Sequence, residues 1–351
     1  MQMQEFLRQM VESTGVSGYE SRVGELVSQT FAEICDEVRP DVLGNVVALR
    51  KGEGQGPRKR VMLAGHMDEI GLMITKIEDS GFLRFTSVGG VDQRTLVSQE
   101  VTVHAKQDLL GIIGMKPPHL MQAEDRNRAI PMHDLVIDVG MPAEQARQLV
   151  RVGDMVTINR QMYQLGKDVV AGKAMDDRAA VAVIYYCLQE LQKLRHQVDV
   201  YAVATVQEEV GLRGAIVSTY DIAPDVGIAL DVCHGAMPGV EAYRTSPMGK
   251  GPNIGFGANI HPKVYERLVD VAKDYSIPYS LGVYAAGTGT DTWAMQVSRA
   301  GIATGLISLP SRYMHTSVET VNLSDLKMAG RLLALFISSL DDQFMEGLIC
   351  Y

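Results

Sequence analysis

Apolar residues in the first 36 positions recur at helical spacing. Phe6, Leu7, Met10 and Val11 form one stripe, with Gly15 as its stop. Val23, Leu26, Val27, Phe31 and Ile34 form a second, opened by Ser17-Gly18-Tyr19-Glu20. Two helices are predicted there. Leu43-Gly44-Asn45 then marks a hairpin turn before a strand at 46–49. The polar, Gly-rich stretch 51–60 reads as a loop, and the apolar run 61–64 as a buried strand ending at His66.

The pattern changes after His66. From about 70 to 160 the chain reads as short strands and turns. Runs at 71–75 and 81–85 flank Asp79-Ser80, and runs at 101–104 and 111–114 flank Gln107-Asp108, both hairpin signals. A further strand is predicted at 155–158, and 143–150 is the one helix of this stretch. From about 168 strands and helices alternate. Helices are predicted at 177–194, 212–220, 263–275, 293–299 and 324–340, and strands at 198–206, 226–230 and 303–309. Such alternation predicts an α/β fold, a mixed and mostly parallel sheet with helices on both faces. The strand-rich stretch predicts an inserted small β-barrel domain. The expected domains are a catalytic α/β domain from 1–69 and 165–351, and an inserted β domain at 70–164.

Composition narrows the class without changing this picture. The chain has 351 residues, 46% hydrophobic and 21% charged, enough for a large core. Its net charge of −9 argues against nucleic acid or an anionic membrane as partner. Cys35, Cys187, Cys233 and Cys350 are scattered without a C-x-x-C pair, so reduced, structural thiols are expected. The first residues lack a basic region followed by an apolar one, and no apolar run is long enough to span a bilayer. A cytoplasmic location is expected.

The chemistry gathers at strand ends. His66, Asp176, Glu208-Glu209, Asp231 and His315 each follow an apolar, strand-like run. Ligands of open α/β sheets bind at the carboxyl ends of the strands. Taken singly, each residue has an ordinary structural reading as cap, loop or satisfied histidine. Jointly they predict a metal site. His66, Asp176, Glu209, Asp231 and His315 serve two ions if one carboxylate bridges, and Asp176, in the middle of the order, is the candidate bridge. Three carboxylates and a hydroxide then balance two divalent ions, which avoids burying net charge. Asp68 is placed to orient the His66 ring, and Asp177 to cap the helix that follows. A general base is still needed, and Glu208 suits that role. Spacing alone leaves open which of Glu208 and Glu209 is ligand and which is base. His234, three residues past Asp231, is the rival ligand. Gly287-Thr288-Gly289-Thr290-Asp291 lacks a Walker lysine and a dinucleotide fingerprint, and reads as a substrate-contacting loop.

The chain resembles the M42 family of metallo-aminopeptidases over nearly its whole length. The resemblance rests on Ser17-Gly18-Tyr19-Glu20, Ala64-Gly65-His66-Met67-Asp68-Glu69-Ile70-Gly71, Lys173-Ala174-Met175-Asp176-Asp177-Arg178, Thr205-Val206-Gln207-Glu208-Glu209-Val210-Gly211, Ala229-Leu230-Asp231-Val232 and Tyr313-Met314-His315-Thr316-Ser317. It implies a zinc-peptidase-like fold, one metal on His66 and Asp231, a second on Glu209 and His315, and Asp176 bridging them. It further implies Glu208 as general base, Asp68 as partner of His66, a cis peptide after Asp176, and zinc or cobalt as the ions. Manganese suits the same ligands. Short peptides as substrates and a tetrahedral homododecamer, to which the inserted domain contributes assembly and substrate access, are implied as well. One departure touches the substrate side: where the family often has Gly-Gly-Gly-Thr-Asp-Ala, Thr288 replaces the middle glycine and Thr292 the alanine.

The function expected from this reading is removal of N-terminal residues from short peptides. The same metal cluster serves a deacylase or a carboxypeptidase as the alternative. A non-catalytic peptide-binding assembly protein ranks last, because every ligand type is present. Arg312, near His315, reads either as a selector of acidic side chains or as a structural tether.

Overall fold

The computed structural model describes residues 1–122, 124 and 128–348. Cys350 lies outside the described residues. Two bodies are built around separate cores.

The larger body is a mixed sheet between two helical layers. The strands Asp199–Thr205, Arg60–His66, Val226–His234 and Ala303–Arg312 lie side by side in that order and run parallel. Antiparallel strands flank them. Glu37–Pro40 and Val46–Arg50 extend one side; Glu319–Asn322, Val169–Gly172 and Tyr163–Leu165 extend the other. Asn253–Gly257 pairs with Ala303–Arg312 on one edge and with Ser280–Tyr284 on the other.

The central strands are apolar without interruption because both faces are covered. Val61 and Leu63 face one core, and Met62 and Ala64 the opposite one. Ile228 and Leu230 alternate with Ala229 in the same way. Helices Met3–Glu12, Ser21–Ala32, Met175–Leu191 and Leu323–Ser338 bury their stripes in the larger core. Arg213–Ile222 and Asp291–Gln296 cover the other face. Among the described residues, no helix is long and apolar enough to cross a membrane.

The smaller body is a closed barrel of Gly71–Ile77, Leu83–Val88, Val136–Asp138, Asp108–Gly114, Glu100–His104 and Met155–Ile158. Both hairpins expected from Asp79-Ser80 and Gln107-Asp108 form. The barrel is filled by Leu72, Ile74, Leu83, Val101, Ile113 and Ile137, a cluster separate from the sheet's cores. Ala143–Leu149 is its helix.

Candidate metal centre and active site

Parallel strands end together, so the residues that follow them are neighbours. Thr205 lies level with His66, and Asp231 with Ser308. His66 ends one strand, Asp231 sits inside the next, and Glu208 and Glu209 follow the third. The antiparallel pair Val169–Gly172 and Glu319–Asn322 brings Asp176, just past one strand, beside His315, just before the other. His66, Asp176, Glu208, Glu209, Asp231 and His315 all line one cavity of about 1300 Å³. Asp68 lies fully buried behind them.

Asp176 occupies the centre. Its Oδ1 is 3.2 Å from His66 Nε2, and its Oδ2 is 3.2 Å from His315 Nε2. His315 Nε2 is also 3.2 Å from Glu209 Oε1. Donor atoms of His66, Asp176 and Asp231 lie within 4.8 Å of one another, and so do those of Asp176, Glu209 and His315. The far nitrogen of each ring is held by a backbone carbonyl. His66 Nδ1 lies 3.1 Å from the Asp68 carbonyl oxygen, and His315 Nδ1 3.0 Å from that of Gly90. Each Nδ1–H donates to its carbonyl, and this turns Nε2 toward the shared space and its carboxylates.

Asp68 does more than face an imidazole. Its carboxylate is 3.4 Å from His66 Nδ1 and accepts N–H bonds from Glu208 at 3.0 Å and Glu209 at 3.3 Å, and the Ser17 hydroxyl at 2.6 Å. One buried group thus sets the paired glutamates. Asp177 does not cap the helix. It lies within the first turn at non-helical angles and accepts the His66 backbone N–H at 3.3 Å. The Asp176–Asp177 peptide is cis. Ala174, Gln207, Tyr313 and His315 hold left-handed angles (φ of 53°, 56°, 61° and 60°), strain that concentrates around the site.

The electrostatics test whether cations fit. Burial, with the Asp176 charge beside it, pushes Asp231 well above the carboxylate range. Burial pushes Glu208 up to about 8. Burial opposes ionisation of Asp176 too, yet hydrogen bonds to His315 and His66 hold it below the usual range. Hydrogen bonds to Asp176 and Glu209 raise His315 to about 11. The cluster therefore carries more carboxylates than its two imidazoles can offset. Divalent cations relieve this excess, and the oxygen and imidazole donors are of the kind such ions take. Cys233 lines the cavity, but burial raises its thiol to about 12 and it bonds Ser246. His234 also lines the cavity, exposed, and stands in neither donor group.

Comparison with known proteins agrees with this geometry. A sequence profile of the M42 glutamyl aminopeptidase family matches residues 44–332. The chain belongs to that family. Membership in M42 makes it a peptide hydrolase of the aminopeptidase type. It is 38% identical to lysyl aminopeptidase of Pyrococcus furiosus over 94% of this chain and 96% of that one. An aminopeptidase structure from Desulfurococcus kamchatkensis superposes with a TM-score of 0.92 at 40% identity, covering 99% of this chain and 97% of its own. The TET1 peptidase of Pyrococcus horikoshii, which can assemble into a tetrahedron or a large octahedral shell, matches with a TM-score of 0.84 at 33% identity, over 96% and 100% of the two chains.

The loop Gly287–Asp291 contributes Thr288, Gly289 and Thr290 to the cavity wall. The hydroxyl of Thr288 bonds Thr290 at 2.8 Å and accepts the Asn259 amide at 3.2 Å, which ties this M42 loop to the turn that follows Asn253–Gly257. Arg312 donates to the Ala236 carbonyl at 2.7 Å, the tether of the two readings. Gly90 and Glu319 escape sequence reasoning, and Asp291, named there only as part of the substrate-contacting loop, proves a buried member of the site. Gly90 reaches His315 from the barrel; its pairing with Gly89 after a strand is the signal. Asp291 is buried, accepts the Thr205 hydroxyl at 2.6 Å, and is raised to about 6 by burial. Glu319 is buried against both Asp176 and His315.

Proposed function

We propose that the chain is a dinuclear metal-dependent aminopeptidase that releases N-terminal residues from short peptides. The observation that carries this reading is Asp176, whose two oxygens each face a different imidazole at 3.2 Å. One ion would be held by His66, Asp176 and Asp231, and the other by Asp176, Glu209 and His315, Asp176 being common to both groups. Zinc or cobalt suits these ligands best, and manganese is compatible. Bound there, a pair of divalent ions polarises the scissile carbonyl and lowers the pKa of water.

The chain's own groups do the rest. Glu208 lies at the cavity wall with Oε2 3.8 Å from His66 Nε2, beside a ligand without being needed as one. It accepts a proton from the attacking water and returns it to the leaving amine as the amide C–N bond breaks. Asp68 fixes Glu208 and Glu209 through their backbone N–H groups. The acidic cluster attracts the substrate's α-ammonium, which sets exopeptidase polarity. We further propose a catalytic domain of 1–69 and 165–351 carrying an inserted domain, 70–164, that serves assembly and access. The assembling TET1 relative supports a homo-oligomer, with a tetrahedral dodecamer as its expected form.

The test is mass-spectrometric analysis of a mixed short-peptide library, free and N-acetylated, with metal-loaded protein. Sequential N-terminal loss from free peptides only is expected. Glu208→Ala should lower the rate about 100- to 10,000-fold while its metal content stays that of the parent. Cleavage of the acetylated set would make the chain a deacylase, and release from the C-terminus a carboxypeptidase. Silence on all peptides with metal bound would sink the catalytic reading.

A further inference from the structure

Glu319 is a buried carboxylate whose hydrogen bonds go to backbone N–H groups. It opens the strand Glu319–Asn322, opposite Gly172 of Val169–Gly172, and is 2% exposed. Its two oxygens have separate tasks. Oε2 accepts the backbone N–H of Asp176 at 3.0 Å, and Oε1 accepts that of His315 at 2.7 Å. Asp176 and His315 are 139 residues apart, and both belong to the donor group completed by Glu209. Each sits in irregular backbone: Asp176 at non-helical angles within its helix's first turn, His315 at φ 60°. Neither segment has a ladder of its own to hold it at that point.

We propose that Glu319 is a positioning residue for the second ion, fixing the distance between Asp176 and His315 by accepting one backbone N–H from each. This rests on the dinuclear reading above. The physical argument is one of acceptor count. An ionised or neutral carboxyl keeps an oxygen toward each N–H, whereas an amide offers one oxygen and one N–H₂. In Glu319→Gln one of the two backbone N–H groups therefore meets a donor. Asp176 and His315 separate, and the Asp176–Glu209–His315 group loses its geometry. His66 and Asp231 stand on parallel strands that Glu319 does not touch, so the group they form with Asp176 is less affected. The effect is site-selective, unlike a general loss of stability.

The test is Co²⁺ titration of the metal-free full-length chain, followed by calorimetry and by the visible absorption of bound cobalt. The wild type is expected to take two ions. Glu319→Gln is expected to retain one tight ion and to bind the other about 10- to 100-fold more weakly, the usual effect of losing an outer partner of a ligand. Its Michaelis constant at saturating cobalt should stay near that of the parent. Two ions bound by Glu319→Gln with parental affinities would overturn the proposal, and equal weakening of both ions would reduce Glu319 to a general structural role. If Glu319→Gln does not fold, Glu319→Asp, one methylene shorter with both oxygens kept, is expected to lose the same single ion, and unchanged affinities there overturn the proposal equally. A wild type that binds fewer than two ions would instead defeat the dinuclear reading itself.

Discussion

At the scale of single residues, the site depends on groups that leave room or take a proton. Gly90 is one. A Cβ there would lie 2.8 Å from His315 Nδ1 and 3.0 Å from Cε1. Its backbone angles are ordinary, so alanine contests only the space and not the conformation. Gly90→Ala should therefore push the His315 ring aside and weaken ion binding at that ring about 10- to 100-fold, with little change in melting temperature. Metal titration beside a thermal melt separates the two effects, and unchanged binding would mean that the barrel loop yields instead. Glu20 illustrates the second kind. It is buried, and burial raises its carboxyl from 4.5 to about 7, although Oε1 accepts the N–H groups of Gly18 at 2.7 Å and Gln207 at 3.1 Å. Between those two pH values the folded chain holds a proton that the unfolded chain releases. The contribution is thus fully present below pH 4.5 and is lost as pH rises through about 7. Glutamine keeps the accepting oxygen and cannot ionise. Glu20→Gln should match the parent in urea unfolding near pH 4.5 and exceed it by about 3 kcal/mol well above pH 7. A pH-independent difference would refute the assignment.

At the scale of elements, a buried ion network joins the strand bearing His66 to the helix bearing Asp176. Glu69 accepts Lys173 at 2.7 Å, Arg178 at 3.1 Å and the Gly15 backbone N–H at 3.1 Å, and Arg178 donates onward to the carbonyls of Met10, Ser13 and Met67. Removing the one carboxylate leaves two buried cations uncompensated. Glu69→Gln should cost about 3–5 kcal/mol, read from urea unfolding of the metal-free chain; a loss below about 1 kcal/mol would mean that water replaces the acceptor. The elements themselves are largely legible in the sequence. The strands ending at His66 and holding Asp231 announce themselves as unbroken apolar runs, because both faces are covered. The long helix is legible from Val181, Ile184, Leu188 and Leu191. Asn253–Gly257 and Ser280–Tyr284 are not, since Gly255, Gly257 and Gly282 dilute their alternation and it is pairing with each other and with Ala303–Arg312 that makes them strands. Glu319 is unreadable for a related reason. Its role is defined by two backbone N–H groups far away in sequence, and no spacing along the chain encodes an acceptor's direction.

At the scale of the whole molecule, the question is what the barrel is for. Its outward strand Asp108–Gly114 alternates as a half-buried strand should, yet two of its outward positions, Leu110 and Ile112, are 70% and 56% exposed. On a polar exterior the same positions would carry charge, and neighbouring apolar side chains left in water mark a contact surface. The edge strand Ser280–Tyr284 exposes Leu281 and Val283 beside the cavity, so the two bodies each offer one apolar face. A closed shell needs at least two kinds of contact per subunit, one for pairs and one to join pairs. Two separate faces meet that requirement where a single face gives only a dimer. The double change Leu110→Glu with Ile112→Glu is therefore expected to stop assembly at a small species in mass photometry, with Co²⁺ stoichiometry unchanged because no metal donor lies on that strand. An unchanged particle mass would remove this barrel face from the assembly. A monomer, rather than a dimer, would mean that Leu281 and Val283 join no copies and serve the substrate's entry instead.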